Sequence, residues 1–185
     1  MSKIIIGLVG EFASGKSSAS EYLHKKYKAK IFKFSDPLSD ILRRVNEKII
    51  RENQAAIADS LRKIFGEDIL SQVLMKDAAK TKNEIIVVDG FRKMGELNFF
   101  RKLDNFFLIS IAASLETRYQ RIIKRGEKED EKNKSFQSFV KDHKLKADTD
   151  IIKVGKKADY IVDNSGTKNE LYKQIDKILK LKIKK

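Results

Sequence analysis

Five short apolar runs divide the chain: residues 3–9 (KIIIGLV), 30–34 (KIFKF), 84–90 (EIIVVDG), 106–113 (FFLISIAA) and 159–164 (DYIVDN). Most of them are nearly continuous instead of alternating, as expected of strands covered on both faces. Between them the apolar residues recur every three or four positions, which is the period of a helix with one buried face. The spacing predicts helices over 16–28, around 95–103, over 115–125, over 136–157 and from 167 to the end. From Leu38 to about Lys82 only helix signals occur: Ile41, Leu42, Val45 and Ile49, then Leu61, Ile64, Phe65, Ile69, Leu70, Val73 and Leu74, with a break near Gly66. Pro37, behind Ser35 and Asp36, can open the first of these helices, and Gly126 can close the helix before it. Strands alternating with helices predict an α/β fold of three layers, α/β/α, around a five-stranded parallel sheet.

At 185 residues the chain suits one domain, and its single proline and few glycines leave no long flexible linker. There is no cysteine, which excludes disulfides, thiolate catalysis and zinc–cysteine sites and favours a reducing, cytoplasmic setting. The longest apolar stretches are too short to span a bilayer. Lys and Arg number 40 against 26 Asp and Glu, a net charge of +14. Such a field attracts polyanions in general; it fits a nucleotide, a nucleic acid, or simply a lysine-rich surface. Monomer and homodimer are both open. His24 and His143 lack metal-ligand spacing and read as surface residues. The stretch 127–135 (EKEDEKNKS) is polar and of mixed charge, as in a loop.

One motif changes the picture. Directly behind the first strand stands GEFASGKSS, in which Gly10, Gly15, Lys16 and Ser17 satisfy the phosphate-loop (Walker A) pattern G-x-x-x-x-G-K-[ST]. Strand, glycine loop and helix follow in the order this pattern requires. The backbone N–H groups of Ala13, Ser14, Gly15, Lys16 and Ser17 would point into one concavity, at the positive end of the following helix. Lys16 would reach the β- and γ-phosphates, Ser17 would ligate Mg²⁺, and Ser18 would add a hydroxyl near the α-phosphate.

Asp89 closes the third strand, where open α/β sheets carry ligands, and a carboxylate there can hold Mg²⁺. Asp36 closes the second strand in the same way. It can serve an acceptor, or cap the helix that Pro37 opens. Arg92 can bring a bidentate guanidinium to a second phosphate, or pair with Glu96 at the surface. Arg118, Arg121 and Arg125 share one helix face, as lid arginines that neutralise transferring phosphate would, or as a solvated basic face.

In these residues the chain resembles the P-loop nucleoside monophosphate kinase group, above all phage-type deoxynucleoside monophosphate kinases and archaeal dephospho-CoA-kinase-like or adenylate-kinase-like proteins. The segments carrying the resemblance are GEFASGKSS, FSDPL, LRKIFGED, VVDGFRKMGEL, ETRYQRIIKRG and ADYIVDNSGTKNEL, in that order along nearly the whole chain. The resemblance implies a single kinase domain of core (1–36, 83–124, 146–185), helical acceptor-binding insertion (37–82) and small lid (125–145). It implies ATP and Mg²⁺ on Lys16 and Ser17, with Asp36 and Asp89 on the acceptor side and the metal. Arg92, with Arg43 and Arg62 as further candidates, would bind the acceptor phosphate, and Arg121 and Arg125 would belong to the lid. Asn164, Ser165 and Gly166 would border adenine. The acceptor would be a nucleoside or deoxynucleoside monophosphate. Gly-Phe-Arg stands after Asp89 where a dephospho-CoA kinase would show Pro-Leu-Leu and a thymidylate kinase Asp-Arg, so the acceptor stays open. A dephospho-CoA-kinase-like enzyme and an ATP-switched nucleic-acid-binding or assembly protein are the competing readings.

Overall fold

In a computed structural model, which describes residues 3–125, 135–145 and 149–183, the five apolar runs form one parallel sheet. The strands are β1 (Ile4–Val9), β2 (Lys30–Lys33), β3 (Ile85–Asp89), β4 (Phe106–Ala112) and β5 (Tyr160–Asp163), in spatial order β2-β3-β1-β4-β5. Successive side chains of a strand point to opposite faces, so a strand covered on both sides must be apolar throughout. In β1, Ile5 and Val9 enter one core while Ile6 and Leu8 enter the other. Gly7 lies between them because a Cβ there would come within 2.7 Å of Leu108 and 2.9 Å of the Phe106 ring.

Helices α1 (Lys16–Tyr27) and α9 (Lys168–Ile183) cover one face, burying Ala19, Leu23, Leu171, Ile175 and Leu179 against Val87, Phe107 and Ile109. The other face carries α2 (Ser35–Arg44), α3 (Arg51–Phe65), α4 (Ile69–Lys80), α5 (Met94–Phe100) and α8 (Thr149–Gly155). Its centre is aromatic: Phe91 meets Phe34 and Phe100 edge-on at 5.0 and 5.2 Å, a geometry that brings ring edges to ring faces. Helix α6 (Leu115–Arg125) follows β4, and α7 (Phe136–Leu145) packs on it through Phe136 and Phe139 around Tyr119. No described helix is long and apolar enough to cross a membrane.

The element boundaries differ from the sequence reading in three places. Helix α2 begins at Ser35, ahead of Pro37, and Asp36 in its first turn folds back to accept the Lys33 N–H at 2.9 Å, a bond to the end of β2 that leaves the helix without a side-chain cap. The 38–82 segment is three helices, interrupted at 45–50 as well as at Gly66, whose φ of 99° ends α3. The helix expected over 136–157 is two, α7 and α8. Gly126, most of the polar 127–135 stretch and hence the middle of the expected lid lie outside the described residues.

Candidate functional site

β1 lies in the middle of the sheet between β3 and β4; the chain runs from β1 to β2 at one edge, returns to β3 and then crosses β1 to reach β4, which leaves a crevice at the C-terminal end of β1. The glycine loop occupies that position. Ala13 (φ 61°) and Gly15 (φ 101°) are both left-handed, and such residues turn backbone N–H groups into a concavity suited to an anion. Gly15 is doubly constrained: besides its positive φ, a Cβ would collide with the side-chain amide of Asn164. That amide donates to the Ser14 carbonyl at 2.7 Å, tying the loop to the end of β5.

Lys16 bends back over the loop and donates to the Gly10 and Glu11 carbonyls at 2.6 and 3.1 Å. Burial draws its ammonium below the ordinary lysine range, against the pull of Asp89; Arg92 and Arg118 push the same way as burial. Asp89 pairs in register with Leu8 of β1 and Lys33 of β2, which places it at the same edge of the sheet. Its Oδ2 accepts from Ser20 Oγ at 3.4 Å, and its Oδ1 is buried with no hydrogen-bond partner. Burial pushes the carboxyl up, opposed by Lys16 and Lys33.

That buried orphan oxygen fits a divalent cation. Ser17, exposed one turn before Ser20 on the same face of α1, fits as a second protein ligand. Among the described residues no cluster of three or more acidic or histidine side chains could hold a metal by itself, so phosphate oxygens and water would complete the shell.

A raised carboxyl pKa has a consequence for stability. The folded protein binds the Asp89 proton more tightly than the unfolded chain does, so the ionised carboxylate costs stability above its raised pKa. The cost disappears as pH falls to the ordinary carboxylate range near 4. Asp89→Asn is therefore expected to melt higher than wild type at neutral pH in the absence of nucleotide, by roughly 2–4 °C per kcal/mol relieved. Melting curves from pH 7 to pH 4 check this; a gap that widens on acidification contradicts it.

The three arginines of α6 all meet the glycine loop. Arg118 pairs with the Glu11 carboxylate at 3.4 Å. Arg121 donates to the Ser14 carbonyl at 3.2 Å, to that of Ala13 at 3.4 Å and to that of Asn164 at 2.6 Å. Arg125 lies 5.0 Å over the Phe12 ring. Ser18 is half-buried in the first turn of α1, and Gly166 sits at the entry to α9, beside the Glu170 carboxylate that caps Thr167.

On the opposite side of the crevice, Asp36 is exposed; it lies in the first turn of α2 instead of closing β2, and its carboxylate takes the Lys33 N–H without capping the helix. Arg92 is exposed, within electrostatic reach of Lys16 and Asp89. Its backbone N–H donates to Glu96 Oε2 at 2.8 Å, and Lys93 N–H to the same oxygen at 3.0 Å. Glu96 is wholly buried, and its other oxygen takes Arg62 at 2.7 Å. Arg62 is thus bound to a structural carboxylate, while Arg43 lies exposed on Asp40. Four residues at the site escaped the sequence reading: Glu11, Phe12, Ser20 and the buried role of Glu96. The capping pattern that could have found Glu96 was masked by lysine at the N-cap, where Ser, Thr or Asp is the usual signature.

The AAA domain model matches residues 6–146, from within β1 through the glycine loop to the end of α7. The chain belongs to the AAA domain family. This AAA domain protein is 32% identical over 179 residues to a UPF0200 protein of Methanocaldococcus jannaschii, covering 95% of the chain and 89% of the relative. It is also 36% identical over 128 residues to a UPF0200 protein of Methanosarcina acetivorans, 68% of each chain, and it belongs to the UPF0200 family too. Among solved structures it is similar in fold to shikimate kinase from Bacteroides thetaiotaomicron, with a TM-score of 0.62 and 12% identity over 96% of this chain and 97% of that one. TT1252 from Thermus thermophilus gives a TM-score of 0.63 at 17% identity, over 98% of both. The fold is the kinase-like P-loop fold that the resemblance implies, and it implies nucleotide binding.

Proposed function

We propose that this AAA domain protein is an ATP- and Mg²⁺-dependent phosphotransferase that converts a nucleoside or deoxynucleoside monophosphate to the diphosphate. The observation that carries this reading is the meeting of Lys16 and Asp89 at the topological switch point, with Arg92 beside them and three helices, α2 to α4, flanking the open side. A nucleotide-binding loop alone would suit many functions; a second basic group, Arg92, within electrostatic reach of Lys16 and Asp89 suits an anionic acceptor.

The glycine loop would hold the β- and γ-phosphates of ATP on its backbone N–H groups, and Lys16 would leave the Gly10 and Glu11 carbonyls to meet them. Ser17 and Asp89 would hold Mg²⁺, which when bound neutralises β- and γ-phosphate charge. Arg92 would orient the acceptor phosphate, whose oxygen needs alignment more than a strong base. Asp36, in the first turn of α2, would turn from the Lys33 N–H to face the acceptor. The segment 37–82 would form the acceptor side, and 125–145, with Arg121 and Arg125 at its base, the lid that excludes water. Asn164 and Gly166 would border the adenine.

The deciding experiment incubates the protein with ATP and Mg²⁺ against each common nucleoside and deoxynucleoside monophosphate, with dephospho-CoA and shikimate in the same panel. One class of monophosphate is expected to be phosphorylated, with Asp89→Asn slower by about 10²–10³-fold. Turnover of dephospho-CoA or shikimate in place of every monophosphate would reassign the acceptor. Salt-sensitive RNA or DNA binding without transfer to any of them would favour the nucleic-acid reading, for which the +14 charge speaks.

A further inference from the structure

We propose that Glu11 and Arg118 are a second working pair of the nucleotide site, in which the Glu11 carboxylate stands in for nucleotide phosphate and yields Arg118 to it on binding. The proposal rests on the nucleotide-binding part of the function above and not on the identity of the acceptor.

Residue 11 occupies the first variable position of the glycine loop, and it holds two cations at once. Its carbonyl accepts Lys16 Nζ at 3.1 Å, and its carboxylate takes Arg118 at 3.4 Å. Both cations bear on the same place: Glu11 and Arg118 are among the charges that act on the Lys16 ammonium. A free carboxylate on a loop built to receive phosphates would repel them, so its presence there calls for a counter-charge, and Arg118 supplies it.

Arg118 has its own need of an anion. It lies in the first turn of α6, following Ser114, whose carbonyl accepts the Arg118 N–H and whose hydroxyl caps Thr117. The positive end of a helix disfavours a cation, and burial disfavours it further: the side chain is 4% exposed. Glu11, 35% exposed, meets that need from the solvent side.

The contact is built to exchange. In the Arg62–Glu96 pair the atoms are 2.7 Å apart and the carboxylate is 1% exposed, so leaving would strand a buried charge. Glu11 is 35% exposed and its contact to Arg118 is longer, at 3.4 Å, while a polyphosphate entering the loop offers Arg118 a denser charge and a bidentate partner. Arg121 and Arg125, on the loop's carbonyls and on the Phe12 ring, keep α6 seated while Arg118 changes partner. Glu11 thereby sets how tightly the empty site competes with its own ligand.

The test is calorimetric titration of the full chain with Mg²⁺–ATP at low ionic strength, without acceptor, on wild type, Glu11→Gln, Arg118→Met and the double variant. Glu11→Gln is expected to bind ATP more tightly, by roughly two- to fivefold, the scale of one partly screened charge pair. Arg118→Met is expected to bind about tenfold or more weakly, and in its background Glu11→Gln should no longer tighten binding by that factor. Arg118→Lys, which keeps the charge and loses the fork, serves if the methionine variant does not fold, and should fall between the two. Unchanged or weaker binding by Glu11→Gln, with its ligand-free melting temperature at the wild-type value, overturns the pair while leaving nucleotide binding standing. A wild-type protein that binds no ATP overturns both.

Discussion

Lys16→Ala is expected to lower phosphoryl transfer by at least about 10²–10³-fold while leaving the fold intact. The ammonium is the one cation within the glycine loop, residues 10–17, and charge developing on the transferring group is what a kinase-like site must neutralise. Lys16 is held by two carbonyls of its own loop, Gly10 and Glu11, and lies outside both hydrophobic clusters of the core. Burial already disfavours its charge, so its removal costs the empty protein little. A coupled assay for diphosphate formation, run beside a thermal melt, separates the two effects. A variant that retains more than a tenth of the wild-type rate would remove Lys16 from the chemistry, and a variant that unfolds would make the loop lysine structural.

The largest loss of stability is expected away from the phosphates, at Glu96. Its carboxylate takes the Arg92 and Lys93 N–H groups on one oxygen and the Arg62 guanidinium on the other. It thereby joins α3 of the helical segment to the turn that follows Asp89. Gly95 completes the joint, since a Cβ there would press within 2.7 Å of Glu67 Cβ. Glu96→Ala removes the acceptor of two backbone donors and leaves a guanidinium that is 10% exposed with the exposed Asp59 at 3.4 Å, and the expected cost is about 3 kcal/mol, a drop in melting temperature of order 10 °C. Glu96→Gln keeps an acceptor for the N–H groups and loses the charge, so it should fall between alanine and wild type. Urea denaturation measures both; an alanine variant within 1 kcal/mol of wild type would show that the pair is not what joins the two parts.

The two variants act on neighbouring parts of one crevice in opposite ways, because Lys16 is poised for a ligand and Glu96 is satisfied within the protein. The same contrast separates the residues that were legible in the sequence from those that were not. Gly10, Gly15, Lys16 and Ser17 could be read because a phosphate cradle needs consecutive backbone groups, and consecutive groups leave a local pattern. Asp89 could be read because a carboxylate ending a β-branched run has few places to go other than the sheet edge. Asp36 followed the same pattern, yet its carboxylate turns back onto Lys33, since a local N–H three residues away competes for the oxygens. The i, i+3, i+7 spacing put Arg118, Arg121 and Arg125 on one face, but nothing local said that the face meets the glycine loop instead of solvent.

By itself the sequence determined the three-layer architecture, since five short apolar runs can be buried only as strands covered on both faces, and it determined the phosphate cradle, since that motif is contiguous. The order β2-β3-β1-β4-β5 places the cradle at the switch point, where β1 has β3 on one side and β4 on the other. Only the tertiary structure decided which charges are spent and which are kept. Arg62 and Glu96 are 34 residues apart, Arg121 lies 108 residues from the Ala13 carbonyl it binds, and Asn164 lies 150 from the Ser14 carbonyl. Pairings at such separations leave no period in the sequence, because they are set by which helices the sheet brings together.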